Sequence, residues 1–283
     1  MITGRTKLLG VIGDPVGHSL SPVMHNRALA ALELDYRYLP FPVKPADLGT
    51  ALAGLAAVGV GGLNVTIPHK VAVLAHLHDL SPLARQVGAV NTLCWTDQGW
   101  WGTNTDVAGF LAPLGQRAVG QPMLVLGCGG AARAVVAAGR ELDCPAIHVV
   151  GRDAAKVAAF VESWPQPLAG VQGHTWEALP QLLPTAGLVV NTTPLGMGAA
   201  RDASPLSWED LQALPASVLV YDLIYTPRPT RLLQMAAQLG LETQDGLAML
   251  VGQGAEALEI WLGRPAPVAV MTAALETHLA QAI

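Results

Sequence analysis

Residues 123–132, Met-Leu-Val-Leu-Gly-Cys-Gly-Gly-Ala-Ala, constrain this chain more than any other stretch. An apolar strand runs into Gly127-Cys128-Gly129-Gly130-Ala131-Ala132 and then into an Ala/Val-rich helix, which fits the pattern G-x-G-x-x-A. Gly127 permits the tight turn, Gly129 lets backbone approach a pyrophosphate, and small Ala132 lets the helix pack closely on the strand. The helix N-terminus would face the anion. The stretch therefore predicts a βαβ unit of a doubly wound sheet with a dinucleotide on Gly127, Cys128, Gly129, Gly130 and Ala131. Cys128 reads as a small spacer between glycines.

Further strands of this unit are expected near 147–150, 188–191 and 218–223. After the second comes Val150-Gly151-Arg152-Asp153, about 25 residues beyond the glycines, where an NAD enzyme often presents an acid to the ribose 2′-hydroxyl. Here Arg152 comes first and Lys156 follows, and two cations suit the 2′-phosphate of NADP. Asp153 keeps NAD open as the alternative. Asn191-Thr192-Thr193-Pro194-Leu195-Gly196-Met197 ends another strand at the sheet's carboxyl edge, where Thr192 and Thr193 are candidates to meet the cofactor.

A second constellation precedes this unit. In Asn64-Val65-Thr66-Ile67-Pro68-His69-Lys70 an apolar strand ends in a proline and delivers a lysine beside two short hydrogen-bonding side chains. A buried ammonium is costly unless a partner or substrate compensates. Ser19 and Ser21, Asn91 and Thr92, and Asp106 are the polar groups that could converge on it. Hydroxyls and amides both donate and accept, which suits a polyhydroxylated acid, while a lysine and an aspartate can handle proton traffic. Ser21 before Pro22 also reads as a helix cap, and Asn91 as a turn residue.

The motifs at 17–22, 64–70, 88–92, 104–106, 127–131, 191–197, 221–225 and 245–253 span nearly the whole chain in order. With them the chain resembles the shikimate dehydrogenases of the aromatic amino-acid pathway. The resemblance implies that Ser19, Ser21, Asn64, Thr66, Asn91, Asp106, Tyr225 and Gln253 contact the substrate, with Lys70 as the catalytic lysine. It implies that Leu223 and Gly246 line the nicotinamide pocket and that Arg152 clamps the NADP phosphate. The sequence departs from the family's Asn-Arg-Thr pattern, carrying Gly151 and Asp153 beside Arg152. The expected reaction is reversible NADPH-dependent reduction of 3-dehydroshikimate to shikimate, with Asp106 as partner of Lys70 and no metal. Two rivals are a quinate/shikimate dehydrogenase using NAD and a non-catalytic nucleotide-sensing protein on the same scaffold.

The expected fold is α/β with two domains, an N-terminal substrate-binding α/β sandwich and a Rossmann-like dinucleotide domain, with the active site in the cleft between them. The substrate domain is placed at 1–105, joined by helices from 247–283, and the dinucleotide domain at 106–246. Within the first, strands are expected at 7–13, 36–43 and 62–67, helices at 22–34, 46–58 and 70–78, and a hairpin at 91–103 around Asp97-Gln98-Gly99.

Hydrophobic residues make up 51% of the 283 and mean hydropathy is +0.39. The most apolar region, 51–63, is broken by glycines and stops at Asn64, short of the ~20 residues a spanning helix needs. The run at 8–12 is cut by Gly13-Asp14-Pro15 and fails as a signal peptide, so a cytoplasmic location is expected. A net charge of -5 with 16 Lys+Arg argues against nucleic acid. Three cysteines without paired spacing argue against a disulfide framework or a zinc site. The expected partner is a small molecule, with a homodimer as the one assembly entertained. His69, His76, His78 and the Trp100-Trp101 pair are read as packing or surface.

Overall fold

In the computed structural model, which describes residues 2–164 and 170–281, the chain divides into one unit of Met1–Gly109 with Val251–Ile283 and another of Phe110–Leu250. The first begins with β1 (Lys7–Gly13), α1 (Ser21–Ala31), β2 (Tyr36–Pro42), α2 (Leu48–Ala57) and β3 (Val60–Val65). It continues with α3 (His69–Ala72), β4 (Asp79–Leu80), α4 (Pro82–Val87), β5 (Thr92–Thr96), β6 (Gly99–Thr103) and the start of α5 (Asp106–Leu111). Its six strands lie in the order β2-β1-β3-β5-β6-β4. The first three are parallel, while the β5–β6 hairpin joins antiparallel to β3. The apolar residues that alternate along these strands and α2 form one core around Ile12, Leu52, Leu63, Leu93 and Trp100.

The helix expected at 70–78 is broken: α3 covers four residues and a 3-10 turn takes over at Val73–His76. The short strand β4, unforeseen in the sequence, follows and pairs with β6. Trp100 donates its indole N–H to the Leu52 carbonyl at 3.1 Å and stacks edge-on with Trp95, so it is packing.

The second unit holds β7 (Met123–Leu126), α6 (Gly130–Glu141), β8 (Ile147–Gly151), α7 (Ala154–Glu162), β9 (Val171–Thr175), α8 (Leu179–Leu182), β10 (Leu188–Asn191), α9 (Trp208–Gln212), β11 (Leu219–Asp222), α10 (Arg231–Gln238) and β12 (Glu242–Gln244). Its strands run parallel in the order β12-β11-β10-β7-β8-β9. This is the doubly wound dinucleotide-binding arrangement, with the order reversing between β7 and β10. The strands β7, β10 and β11 are buried throughout, as apolar strands covered on both faces must be. The edge strands β9 and β12 had not been expected because their sequences, Val-Gln-Gly-His-Thr and Glu-Thr-Gln, carry little apolar pattern. The unit boundaries fall inside α5 and inside α11 (Leu247–Leu262), after which α12 (Val268–Gln281) completes the first unit.

One packing contact fixes α11 on the first sheet. The indole of Trp261 lies where a side chain at Gly62 would start, and its N–H donates to the Leu93 carbonyl at 2.8 Å. A methyl at Gly62 must displace that ring. Gly62→Ala is expected to cost about 1–3 kcal/mol of stability in urea unfolding, the usual range for overpacking; an unchanged midpoint would mean that the indole is not locked there.

Candidate active site

Sheet register assembles the first cluster. Asn64 on β3 pairs with Thr92 on β5, which pairs with Thr103 on β6, so the chain leaves the sheet at Asn104-Thr105-Asp106 beside the residues that precede β5. Asn91 is the node. Its Oδ1 accepts the Thr105 backbone N–H at 2.8 Å and the Thr92 hydroxyl at 3.0 Å. Its Nδ2 donates to Asp106 Oδ1 at 2.8 Å and to Gln253 Oε1 at 3.4 Å. Asn104, two residues before α5, accepts the Asp106 N–H with its side-chain oxygen at 3.0 Å. With Oδ1 thus engaged, Asp106 Oδ2 takes the ammonium of Lys70 at 2.5 Å. The two side chains are 17% and 7% exposed, so the pair is mostly withdrawn from water.

Lys70 stands at the second position of α3, delivered by the strand end that the sequence singled out. His69 faces away, its Nε2 at 2.6 Å from the Val43 carbonyl. Asn64 is held from behind: its Oδ1 accepts the Tyr38 hydroxyl at 2.6 Å, and its Nδ2 donates to the Asn91 carbonyl and to Thr92. The Tyr38 hydroxyl also bonds the side chain of Ser21. Ser21 is therefore not a cap: Leu20 holds the N-cap position of α1 without a side-chain bond, and Ser21 is the first helical residue. Ser19 accepts the Ser21 N–H at 3.3 Å, and Thr66 is half-buried just after β3.

In the second unit, Gly127 has φ +108°, in the region that favours glycine, and a side chain there would strike Thr192 Oγ1 at 2.6 Å. Gly129 opens α6 with nothing within 4 Å of where its Cβ would be, which leaves room for backbone to approach a phosphate. Gly130 and Ala131 form the first turn of α6, and Ala132 is fully buried. Burial pushes the Cys128 thiol above its usual range, against a reactive thiolate. Thr192 and Thr193 both border Gly127, but their hydroxyls are spent on the Leu126 carbonyl and on Asn191 Oδ1. Gly246 packs directly on the Leu223 carbonyl, with its N–H donating to Ile224 O at 3.1 Å, so the two residues expected at the nicotinamide lie together. Tyr225 belongs to this unit and is half-buried.

Asp153 is the N-cap of α7, its Oδ1 accepting the N–H groups of Ala155 and Lys156 at 3.0 and 3.1 Å. Arg152 and Lys156 are exposed, and among the described residues neither forms an ion pair. The glycine cradle and these two free cations fit a dinucleotide with an extra phosphate.

The family model for the shikimate dehydrogenase substrate-binding domain matches residues 11–93, and that for the shikimate 5′-dehydrogenase C-terminal domain matches 246–276. The shikimate dehydrogenase (NADP(+)) of Thermosynechococcus vestitus is 57% identical over 281 residues, covering 98% of each chain. The chain belongs to the shikimate dehydrogenase family. A shikimate dehydrogenase solved with NADP+ superposes with a TM-score of 0.88 at 34% identity, covering 99% of this chain and 98% of that one. The enzyme of Thermus thermophilus, solved with NADP(H) and shikimate, gives 0.83 at 36% identity over 96% and 99%.

Within this family frame, sequence reasoning missed His25, Tyr38 and Asp222. Asp222, fully buried, accepts from Asn191 Nδ2 at 3.0 Å, Ile224 N–H at 3.1 Å and the Thr230 hydroxyl at 2.7 Å, and burial pushes its carboxyl up to about 6. It ties the loops that carry Thr192 and Leu223. Among the described residues no group of three or more His, Cys, Asp or Glu could hold a metal ion.

His25 stacks on Tyr38 at 4.3 Å, and among the described residues neither ring nitrogen has a partner. Burial lowers its pKa from 6.5 to about 3. The unfolded chain binds the proton first, so this group's contribution to stability is lost as pH falls from 6.5 toward 3. Between pH 7 and 5 the parent is expected to lose about 2 kcal/mol more than His25→Phe in urea unfolding, carboxyl effects being common to both. Parallel losses would show that the buried ring accepts a proton.

Proposed function

We propose that this chain catalyses the reversible NADPH-dependent reduction of 3-dehydroshikimate to shikimate. The observation that carries the reading is the Lys70–Asp106 pair at 2.5 Å, set among hydroxyl and amide groups. NADPH, when bound, supplies the hydride to the ketone carbon. As the ketone oxygen gains negative charge, the Lys70 ammonium neutralises it and gives up a proton. In the reverse direction the same nitrogen takes the hydroxyl proton. Asp106 holds Lys70 through Oδ2 and keeps unused lone pairs for a substrate hydroxyl.

Ser19, Ser21, Asn64, Thr66, Asn91, Tyr225 and Gln253 are the substrate-contacting set in this reading. The amide hydrogens of Asn64 and Asn91 are already committed within the protein, so these residues recognise substrate mainly by holding their neighbours in place. A site built from hydrogen-bonding groups rejects analogues that lack the matching hydroxyl, because a buried partner would be left unpaired. The phosphate loop at Gly127–Ala131 would hold the pyrophosphate, and Arg152 with Lys156 the 2′-phosphate. Thr192, Thr193, Leu223 and Gly246 would border the rest of the cofactor. A charge-assisted pair of cations favours NADP over NAD.

The deciding experiment is steady-state oxidation of shikimate and quinate, each with NADP and with NAD. Activity is expected with shikimate and NADP; comparable rates with quinate and NAD would move the chain to the quinate/shikimate branch. Lys70→Ala is expected to lower kcat by orders of magnitude while leaving NADP affinity within a few-fold. Normal turnover in that variant would remove Lys70 from the mechanism. Arg152→Ala should raise the KM for NADP about tenfold or more and leave that for NAD nearly unchanged, the signature of a lost phosphate contact.

A further inference from the structure

Glu256 lies on α11, three residues beyond Gln253 and so on the same side of the helix. Gln253 bonds Asn91, and the same Asn91 amide bonds Asp106, so this side of α11 is applied to the catalytic pair. One carboxyl oxygen of Glu256, Oε2, is fully buried and has no hydrogen-bond partner among the described residues. A buried carboxyl oxygen without a donor is unfavourable, and its persistence calls for an explanation. We propose that Glu256 is a positioning residue for the reduction: its carboxylate places a second negative charge beside Asp106 and so sets the pH up to which Lys70 remains the proton donor.

The charges around it agree with this role. Burial, then Glu259 on the same helix, then Asp106, push the Glu256 carboxyl up to about 7. The interaction is reciprocal, so a carboxylate that feels Asp106 acts back on the Asp106–Lys70 pair. Glu259 is exposed and screened by water. His25, on α1, has its Nε2 at 3.2 Å from where a side chain at Gly254 would start, and burial holds it neutral near pH 7. Glu256 is thus a carboxyl near the pair whose charge changes near neutral pH. Ionised, it favours the ammonium; protonated, it leaves Asp106 as the sole negative partner.

The inference rests on the reductase reading above, and the test separates the two. The pH dependence of kcat for 3-dehydroshikimate reduction is measured in the parent, Glu256→Gln and Glu259→Gln. For Glu256→Gln the alkaline limb is expected to move to lower pH by a few tenths of a unit to about one unit, with loss of any inflection near neutral pH. Glu259→Gln should keep the alkaline limb while moving any inflection near neutral pH to lower pH. Profiles of Glu256→Gln and parent that differ only by a constant factor would overturn the proposal. If Glu256→Gln fails to fold, carboxyl-carbon NMR of the unsubstituted chain decides. The Asp106 resonance must then show a step at the midpoint of the Glu256 titration, and its absence would overturn the coupling. A parent without any activity on 3-dehydroshikimate would sink the reductase reading, while the NMR titration would still test Glu256 against Asp106.

Discussion

The first unit depends on keeping one buried carboxylate charged. Asp106 is almost wholly withdrawn from water, and an ionised carboxylate there is tolerated only if both oxygens find donors. Lys70 supplies one and Asn91 the other. Each donor is fixed by backbone rather than by its own side chain's preference. Asn91 is locked because its N–H and C=O continue the sheet, donating to Thr103 and accepting from Val65 at 3.1 and 2.7 Å. Lys70 is locked because its carbonyl accepts the Val90 N–H at 2.8 Å. The distance between ammonium and carboxylate is therefore a property of the β3–β5–β6 register. A slip of one residue would turn Asn64 and Thr92 to the opposite face and dissolve the pair.

The second unit repeats the device with a different outcome. Asp222 ends the buried strand β11, whereas Asp106 opens α5, and the three donors to Asp222 are two side chains and a backbone N–H, all neutral. Among the described residues no cation pairs with it, and burial lifts its carboxyl instead of stabilising the charge. Asp222 joins loops through neutral donors, whereas Asp106 is paired with the Lys70 ammonium. Two buried carboxylates thus differ according to whether a cation stands against them.

Much of this was legible in the sequence because it is local. The strand into Gly127-Cys128-Gly129 and the bounds of β1, β7 and β10 follow from short patterns of apolar residues, glycine and proline. Lys70 stood out because a lysine at a strand end is costly. His25, Tyr38 and Glu256 did not stand out, since their meaning comes from contacts across tens of residues: Tyr38 reaches Asn64, and Glu256 reaches Asp106. The Asp153 cap was within reach, because an aspartate directly before an Ala-rich helix is an ordinary N-terminal signal.

That role clarifies the departure from the family pattern around Arg152. A side chain at Gly151 would collide with Val157 Cγ2 at 2.5 Å, and one at Gly173 on β9 with Val157 Cγ1 at 2.6 Å. Val157, buried on α7, fills the space that two strand residues leave empty. Gly151 is thus a packing exchange that draws α7 onto β8 and β9, and Asp153 anchors the first turn of that helix. Neither change takes anything from Arg152, which keeps its exposed place between them with no carboxylate among the described residues paired to it. The residues on either side of Arg152 are accounted for by how α7 seats on the sheet.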